Sequence, residues 1–425
     1  MKLLFVLLTI LTCYFPQAQI PDHIYAPNIS SVKLYVAGNP LSYPMINLNG
    51  GERLELHFDD MDPTVRNYSY TFLLCNADWT PALINQFDYI KGFTQQRIMN
   101  YRTSSIAYRR YIHYQAMFPE QNSSPARSGN YLLKVFADGD TSKMLFTRRF
   151  LVVEDLVPVG AQIQQPFNGR YFRSHQKIQF SVNTQRLNLV NAMQQINVCI
   201  LQNNRWDNYL RNIRPTFIRP GSLEFNTEED ALFPGGREWR WLDLRSFRLQ
   251  SDRVAKAYYS SSRAEVLVVP DGDRSQQRFV LYKDNNGMFY NDVLDGINPF
   301  WQADYATAHF AYVPPGKTAF DGRDVYLFGE LTGYGDHPAA KMNFNSRTGM
   351  YETSLLLKQG YYDYAYVTVE GNSGSFKPSF DFTEGNFWDT ENNYTILVYY
   401  RALGDRSDKL VGISRLNTLT ARPSF

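Results

Sequence analysis

From Tyr361 the chain reads YYDYAYV, which places Tyr362, Tyr364 and Tyr366 on one side of a period-two repeat. Asp363, Ala365 and Val367 fall on the other. Such alternation, with aromatic and β-branched residues, predicts a strand with one face covered. Residues 394–400 (YTILVYY) are apolar on both faces, the pattern of an inner strand. Gly360 follows the apolar run LLLK and is expected to let the chain turn where a Cβ would clash. Two strands this apolar are not stable as an isolated pair, so a second sheet has to cover them. The feature confines the chain to all-β architectures of packed antiparallel sheets with little helix.

The rest of the sequence repeats the pattern. Aromatic residues make up 15% of 425, with 30 Tyr and 29 Phe, which favours strands over helices. Apolar residues reach 44%, enough for real cores, and the length predicts several domains. With 43 basic against 41 acidic residues the net charge is +2, so no bulk attraction to nucleic acid is expected. Arginine with tyrosine is the combination that protein–protein interfaces favour.

Read in order, the chain divides into a leader and three β units. Residues 1–19 hold Lys2, an apolar run at 3–11 and the segment Pro16-Gln17-Ala18-Gln19. This is an export signal, its apolar run about half the length a membrane span needs. Thr12 beside Cys13 fits a lipid-attachment site poorly. Residues 20–156 form a first sandwich, with strand-like runs at 32–36, 53–58 and 68–74 and the closing run LFTRRFLVV. Within it, Asp78-Trp79-Thr80-Pro81 is expected to start a helical turn, and Trp79 to plug the edge of the core. Pro158 and Gly160 mark a seam, and residues 157–283 are expected to form a second sandwich of immunoglobulin or fibronectin type. Residues 284–403 are expected to form a third, taking in 303–313, 324–329 and the opening stretch. Residues 404–425 are polar and read as a loose tail. Cys75 and Cys199 lie in apolar runs of different units and are expected to be free, buried thiols.

No catalytic set emerges. The six histidines lack metal-ligand spacing. Asp59, Asp60 and Asp62 lack the remainder of a calcium loop and read as a solvated strand end. Asp271, Asp273 and Asp284 read as turns, and the run Glu228-Glu229-Asp230 carries no glycosidase signature. No nucleophile-elbow, phosphate-loop or dinucleotide motif is present. The reading is of a non-enzyme with no cofactor or metal. The basic, aromatic stretch 97–118 is the candidate contact surface, through Arg97, Tyr101, Arg102, Arg109, Arg110 and Tyr111. Ordinary strand solvation is the plain alternative there, and export argues against a nucleic-acid partner.

Six segments in series, CNADWTPALINQFDYIKGF, SGNYLLKVFADGD with LFTRRFLV, ADYATAHF, DVYLFGELTGY, SLLLKQGYYDYAYV and TENNYTILVYYR, resemble the type IX secretion system plug proteins. The resemblance spans residues 24–412. It implies a periplasmic β-rich protein that binds the outer-membrane translocon barrel and blocks its periplasmic mouth, reaching the membrane only through that partner. Residues 97–118 are more basic than the family pattern, so surface charge is not carried over. Within the third unit, DVYLFGELTGYGD followed by GYYDYAYV is also similar to glycogen-binding modules of early-set immunoglobulin fold. Those modules stack sugars on a tryptophan where this chain has Tyr334. That likeness implies the alternative, a periplasmic carbohydrate-binding protein.

Overall fold

The computed structural model describes residues 20–371 and 376–421. The expected signal 1–19, with Cys13, lies outside the described residues. Strands dominate, and helix among the described residues is limited to Ala192–Gln195 and four short 3-10 turns. The all-β expectation holds. The sheets pack as three sandwiches, each with its own apolar core.

In the first sandwich, one sheet runs in the order Ile29–Val36, Leu54–Asp60, Ile112–Phe118, Asn100–Thr103. It faces a sheet ordered Met45–Asn47, Met144–Val153, Gly129–Ala137, Tyr68–Cys75, Gln95–Arg97. Alternation in LELHF sends Leu54, Leu56 and Phe58 inward, where Phe58 meets Phe146 edge-on at 5.1 Å. His57 and Asp59 consequently point to the other face, also buried, against the third sandwich. Residues 76–81 form a turn rather than a helical one, with Trp79 at φ 67°. Trp79 does not plug its own sandwich. It meets Trp206 of the second edge-on at 4.9 Å.

The second sandwich corrects the expected boundaries. The strand Asn393–Tyr400 pairs along its length with Ile196–Gln202, Val198 opposite Val398. Its other side takes Lys409–Asn417, in which Leu410 and Val411 are buried. Residues 394–400 therefore complete the second sandwich rather than the third, and the expected loose tail supplies that sheet's edge strand. The third sandwich lies between these halves. Its first strand, Arg240–Asp243, pairs with Gly360–Glu370, and its core runs from Leu242 to Tyr366. The boundary expected at Asp284 falls inside this core.

The third unit is thus inserted into the second, and the chain crosses the junction twice, side by side. Phe387 N–H donates to the Gly236 carbonyl at 2.9 Å, and the Asn392 amide donates to the Gly235 carbonyl at 2.8 Å. A Cβ on Gly235 would collide with the Phe387 carbonyl, so only glycine lets the two crossings touch. Gly360 has the same role and is not a turn: a Cβ there would strike the Tyr290 carbonyl, where the chain passes from one sheet to the other. Tyr362, Tyr364 and Tyr366 are buried as the alternation requires, but Asp363, Ala365 and Val367 are buried too. Asp363 accepts the amides of Asn285 and Gly287, while burial and the neighbouring Asp284 push its pKa up to about 8.

Cys75 and Cys199 belong to different sandwiches yet share one apolar cluster between them, with Leu397, Tyr399 and Leu410. Both are free, and burial pushes each thiol up to about 12. Maleimide should therefore label neither thiol in the native protein and both after denaturation, read by intact mass. Replacement of either by Ala should cost about 1–3 kcal/mol in denaturant unfolding through lost packing.

A second expectation concerns the crossing. Glu238 is fully buried, accepts the Glu391 amide through Oε1 at 3.1 Å, and leaves Oε2 without a partner. Burial raises its pKa to about 8. A carboxyl with a raised folded pKa gives stability that is present in acid and lost as pH rises from the unfolded value through about 8. Glu238→Gln should therefore gain on the wild type between pH 5 and 8, by on the order of 2 kcal/mol at the upper end. Urea unfolding at the two pH values checks it, and equal pH slopes would contradict it.

Candidate functional site

The outer edge of the first sandwich is built by a segment that leaves the core at Cys75. It returns as the edge strand Gln95–Arg97, then crosses to the other sheet as Asn100–Thr103. Both strands end their sheets, so each presents unpaired backbone groups. The loop between is pinned from below: the Gln86 amide donates to Thr71 Oγ1 at 2.7 Å, and that hydroxyl donates to the Thr94 carbonyl at 2.5 Å. Held in this way, the segment turns large apolar side chains outward. Leu83 is 84% exposed and Phe87 76%, with Phe93, Met99 and Tyr101 more than half exposed. Asn100–Thr103 is exposed at every residue. Exposed apolar side chains beside free strand edges are the chemistry of a protein-docking surface.

The expected contact residues divide. Arg97 is exposed on its edge strand, its guanidinium on the Asn67 side chain. Tyr101 is exposed beside it, and Arg102 stacks over Trp301 of the third sandwich at 4.4 Å. Arg109 and Arg110 are exposed on a loop held to the third sandwich, where the Arg109 amide donates to Asp304 at 3.1 Å. Tyr111 is no surface contact. It is fully buried between the first and third sandwiches, its hydroxyl donating to the Ala303 carbonyl at 2.7 Å. Leu83, Phe87, Phe93 and Met99 were not anticipated, because apolar residues in a strand-rich chain read as core.

A buried polar seam joins the first and third sandwiches. Lys358 Nζ stands 2.5 Å from Asp59 Oδ2, His113 Nδ1 stands 2.6 Å from Oδ1, and the Tyr305 hydroxyl donates to Oδ2 at 2.6 Å. Burial opposes ionisation of Asp59, but Lys358 and His113 outweigh it and hold its pKa below the usual carboxylate value. Burial lowers His113 to about 4 against the pull of Asp59, so the ring is neutral near pH 7. Phe300 lies flat on His57 at 3.9 Å and covers the seam.

The expected solvated end at Asp59 and Asp60 is therefore wrong: both are fully buried. Asp271 is likewise no open turn, being buried against Arg240, Arg253, Tyr364 and Tyr366. Asp284 accepts the Trp239 amide, and burial raises its pKa to about 6. Among the described residues no group of His, Cys, Asp or Glu is arranged to hold a metal ion.

Tyr334, the residue a sugar would stack on, sits at φ 52° and is half-buried. Its ring meets Phe328 edge-on at 5.6 Å, and the Arg205 guanidinium lies 5.8 Å from its centre. It faces a cleft between sandwiches instead of open solvent.

Fold and surface together define an all-β protein of three sandwiches, one nested in another, with an exposed apolar edge on the first. The model of the type 9 secretion system plug protein 1st domain matches residues 29–154, the extent of that first sandwich. The first sandwich is thus a domain of the type 9 secretion system plug protein family. A crystal structure of a hypothetical protein from Parabacteroides merdae ATCC 43184 is similar over 94% of this chain and 100% of its own, with a TM-score of 0.89 and 28% identity. The likeness therefore takes in all three sandwiches. No curated protein matches.

Because Tyr334 faces a cleft between sandwiches and not open solvent, millimolar maltoheptaose should leave the melting temperature unchanged. A saturable rise that disappears in Tyr334→Ala would establish a sugar site.

Proposed function

We propose that this chain is a non-catalytic periplasmic plug of the type IX secretion system, docking on the outer-membrane translocon barrel and blocking its periplasmic opening. The observation that carries the reading is the coincidence of two features. The unit matching a plug-protein domain, residues 29–154, is the one whose edge exposes Leu83, Phe87, Phe93 and Met99. Sealing a wide pore needs bulk, rigidity and adhesion, and no reactive group. Three sandwiches give bulk, while the paired crossings and the buried Asp59 seam resist motion between units. Exposed aromatic and apolar anchors bury well against another protein. No helix among the described residues is long and apolar enough to cross a membrane, consistent with attachment through a protein. A net charge of +2 makes docking specific rather than an attraction to anionic lipid, so it should survive moderate salt.

The tagged chain, purified from detergent-solubilised outer membranes, should carry the barrel with it, and its deletion should leave the barrel assembled but leaky to small solutes. Leu83→Asp with Phe87→Asp should reduce co-purification severalfold while changing stability by only about 0.5 kcal/mol, since both side chains are exposed. The reading fails if the barrel never elutes with the chain and the deletion leaves permeability unchanged.

A further inference from the structure

Where the three sandwiches meet, a cleft of about 310 Å³ opens between Lys33 and Arg148 of the first, Trp206 of the second, and Phe289 and Tyr334 of the third. A neighbouring cleft shares Arg148, Phe289 and Glu330, so the two form one groove with Arg148 in its common wall. The other basic side chains here are neutralised. Lys33 Nζ lies 2.6 Å from Glu330, and Arg149 Nη1 lies 2.6 Å from Asp22. Arg148 is different. Its guanidinium donates to the Thr147 carbonyl at 2.8 Å, lies 5.7 Å from the Phe146 ring centre, and forms no ion pair among the described residues. Burial lowers its pKa, while Asp22, Glu330 and Asp336, near it but not bonded to it, act in the other direction.

We propose that this cleft binds a carboxylate carried on an apolar body, with Arg148 holding the carboxylate. A single planar carboxylate matches one guanidinium fork. A phosphate dianion does not suit the site, because Asp22, Glu330 and Asp336 also line the cleft. Trp206, Tyr43 and Phe289 supply the apolar wall, and the volume suits a ligand from one amino acid to a short peptide. The strand Ile29–Val36 is terminal in its sheet and contributes Val32, Lys33 and Leu34 to the wall. An extended peptide lying along this strand can use its outward amides. The carboxylate has two sources, a peptide C-terminus or a free acid. The site is remote in composition from the exposed edge of the plug reading and stands or falls apart from it.

The test titrates the full chain with N-acetyl-phenylalanine and N-acetyl-Ala-Ala-Phe, each as free acid and as C-terminal amide, by ligand-observed NMR up to millimolar concentration. The free acids should bind saturably and the amides about tenfold or more weaker, as loss of a charge-assisted pair implies. Arg148→Met should lose the same factor and Arg148→Lys only part of it. Tighter binding of the tripeptide assigns the site to a peptide terminus, and equal binding to a free acid. The proposal is overturned if no acid binds saturably, if acid and amide bind alike, or if Arg148→Met binds as the wild type does. Should Arg148→Met fail to fold, the acid–amide comparison on the wild-type protein decides alone.

Discussion

The carboxylate of Asp59 is the point on which the assembly turns. It is fully buried on the outward face of a first-sandwich strand, and a charge there is tolerable only if others meet it. Lys358 and Tyr305, both from the third sandwich, and His113 from the first meet it within 2.6 Å. Each sandwich therefore carries half of a polar set that is costly when separated. Such a seam adds less net stability than an apolar one of equal size, but it admits one register of the two bodies. For a protein proposed to fit an opening, a single relative placement of its parts matters more than depth of stability.

The second constraint is topological. Because the third sandwich is inserted between strands of the second, two chain crossings tie them, and these are bonded to each other at Gly235, Gly236 and Asn392. One crossing would leave a hinge, whereas two held side by side resist both bending and twisting. The first and second sandwiches share the cluster around Cys75, Cys199 and Tyr399, where the Tyr399 hydroxyl donates to Asn130 at 2.7 Å. All three bodies thus touch pairwise, and the cleft lined by Arg148 is the space left where three convex sandwiches meet.

The apolar outer edge of the first sandwich can exist because its backbone is fixed from within. Gln86 and Thr71 hold the loop while Leu83, Phe87 and Phe93 face outward. Side chains that gain nothing for the fold are free to serve a partner.

The sequence by itself determined the class and most of the strands. Period-two alternation in YYDYAYV and LELHF, aromatic abundance and glycine-marked turns lead to packed antiparallel sheets, because such strands have nowhere else to bury their faces. The resemblance to plug proteins was legible too, through six segments in order. Which sheet a strand joins was not legible. Asn393–Tyr400 lies next in sequence to the third unit but pairs with Ile196–Gln202, nearly two hundred residues earlier. Pairing is settled by burial across the whole fold, and alternation records only that a partner exists. For the same reason Asp59 and Tyr111 read as surface residues, the reverse of the structure, and nothing in the sequence singled out Leu83 and Phe87 as exposed. Alternation tells two faces of a strand apart. Only the tertiary structure decides which faces meet another sandwich and which meet water.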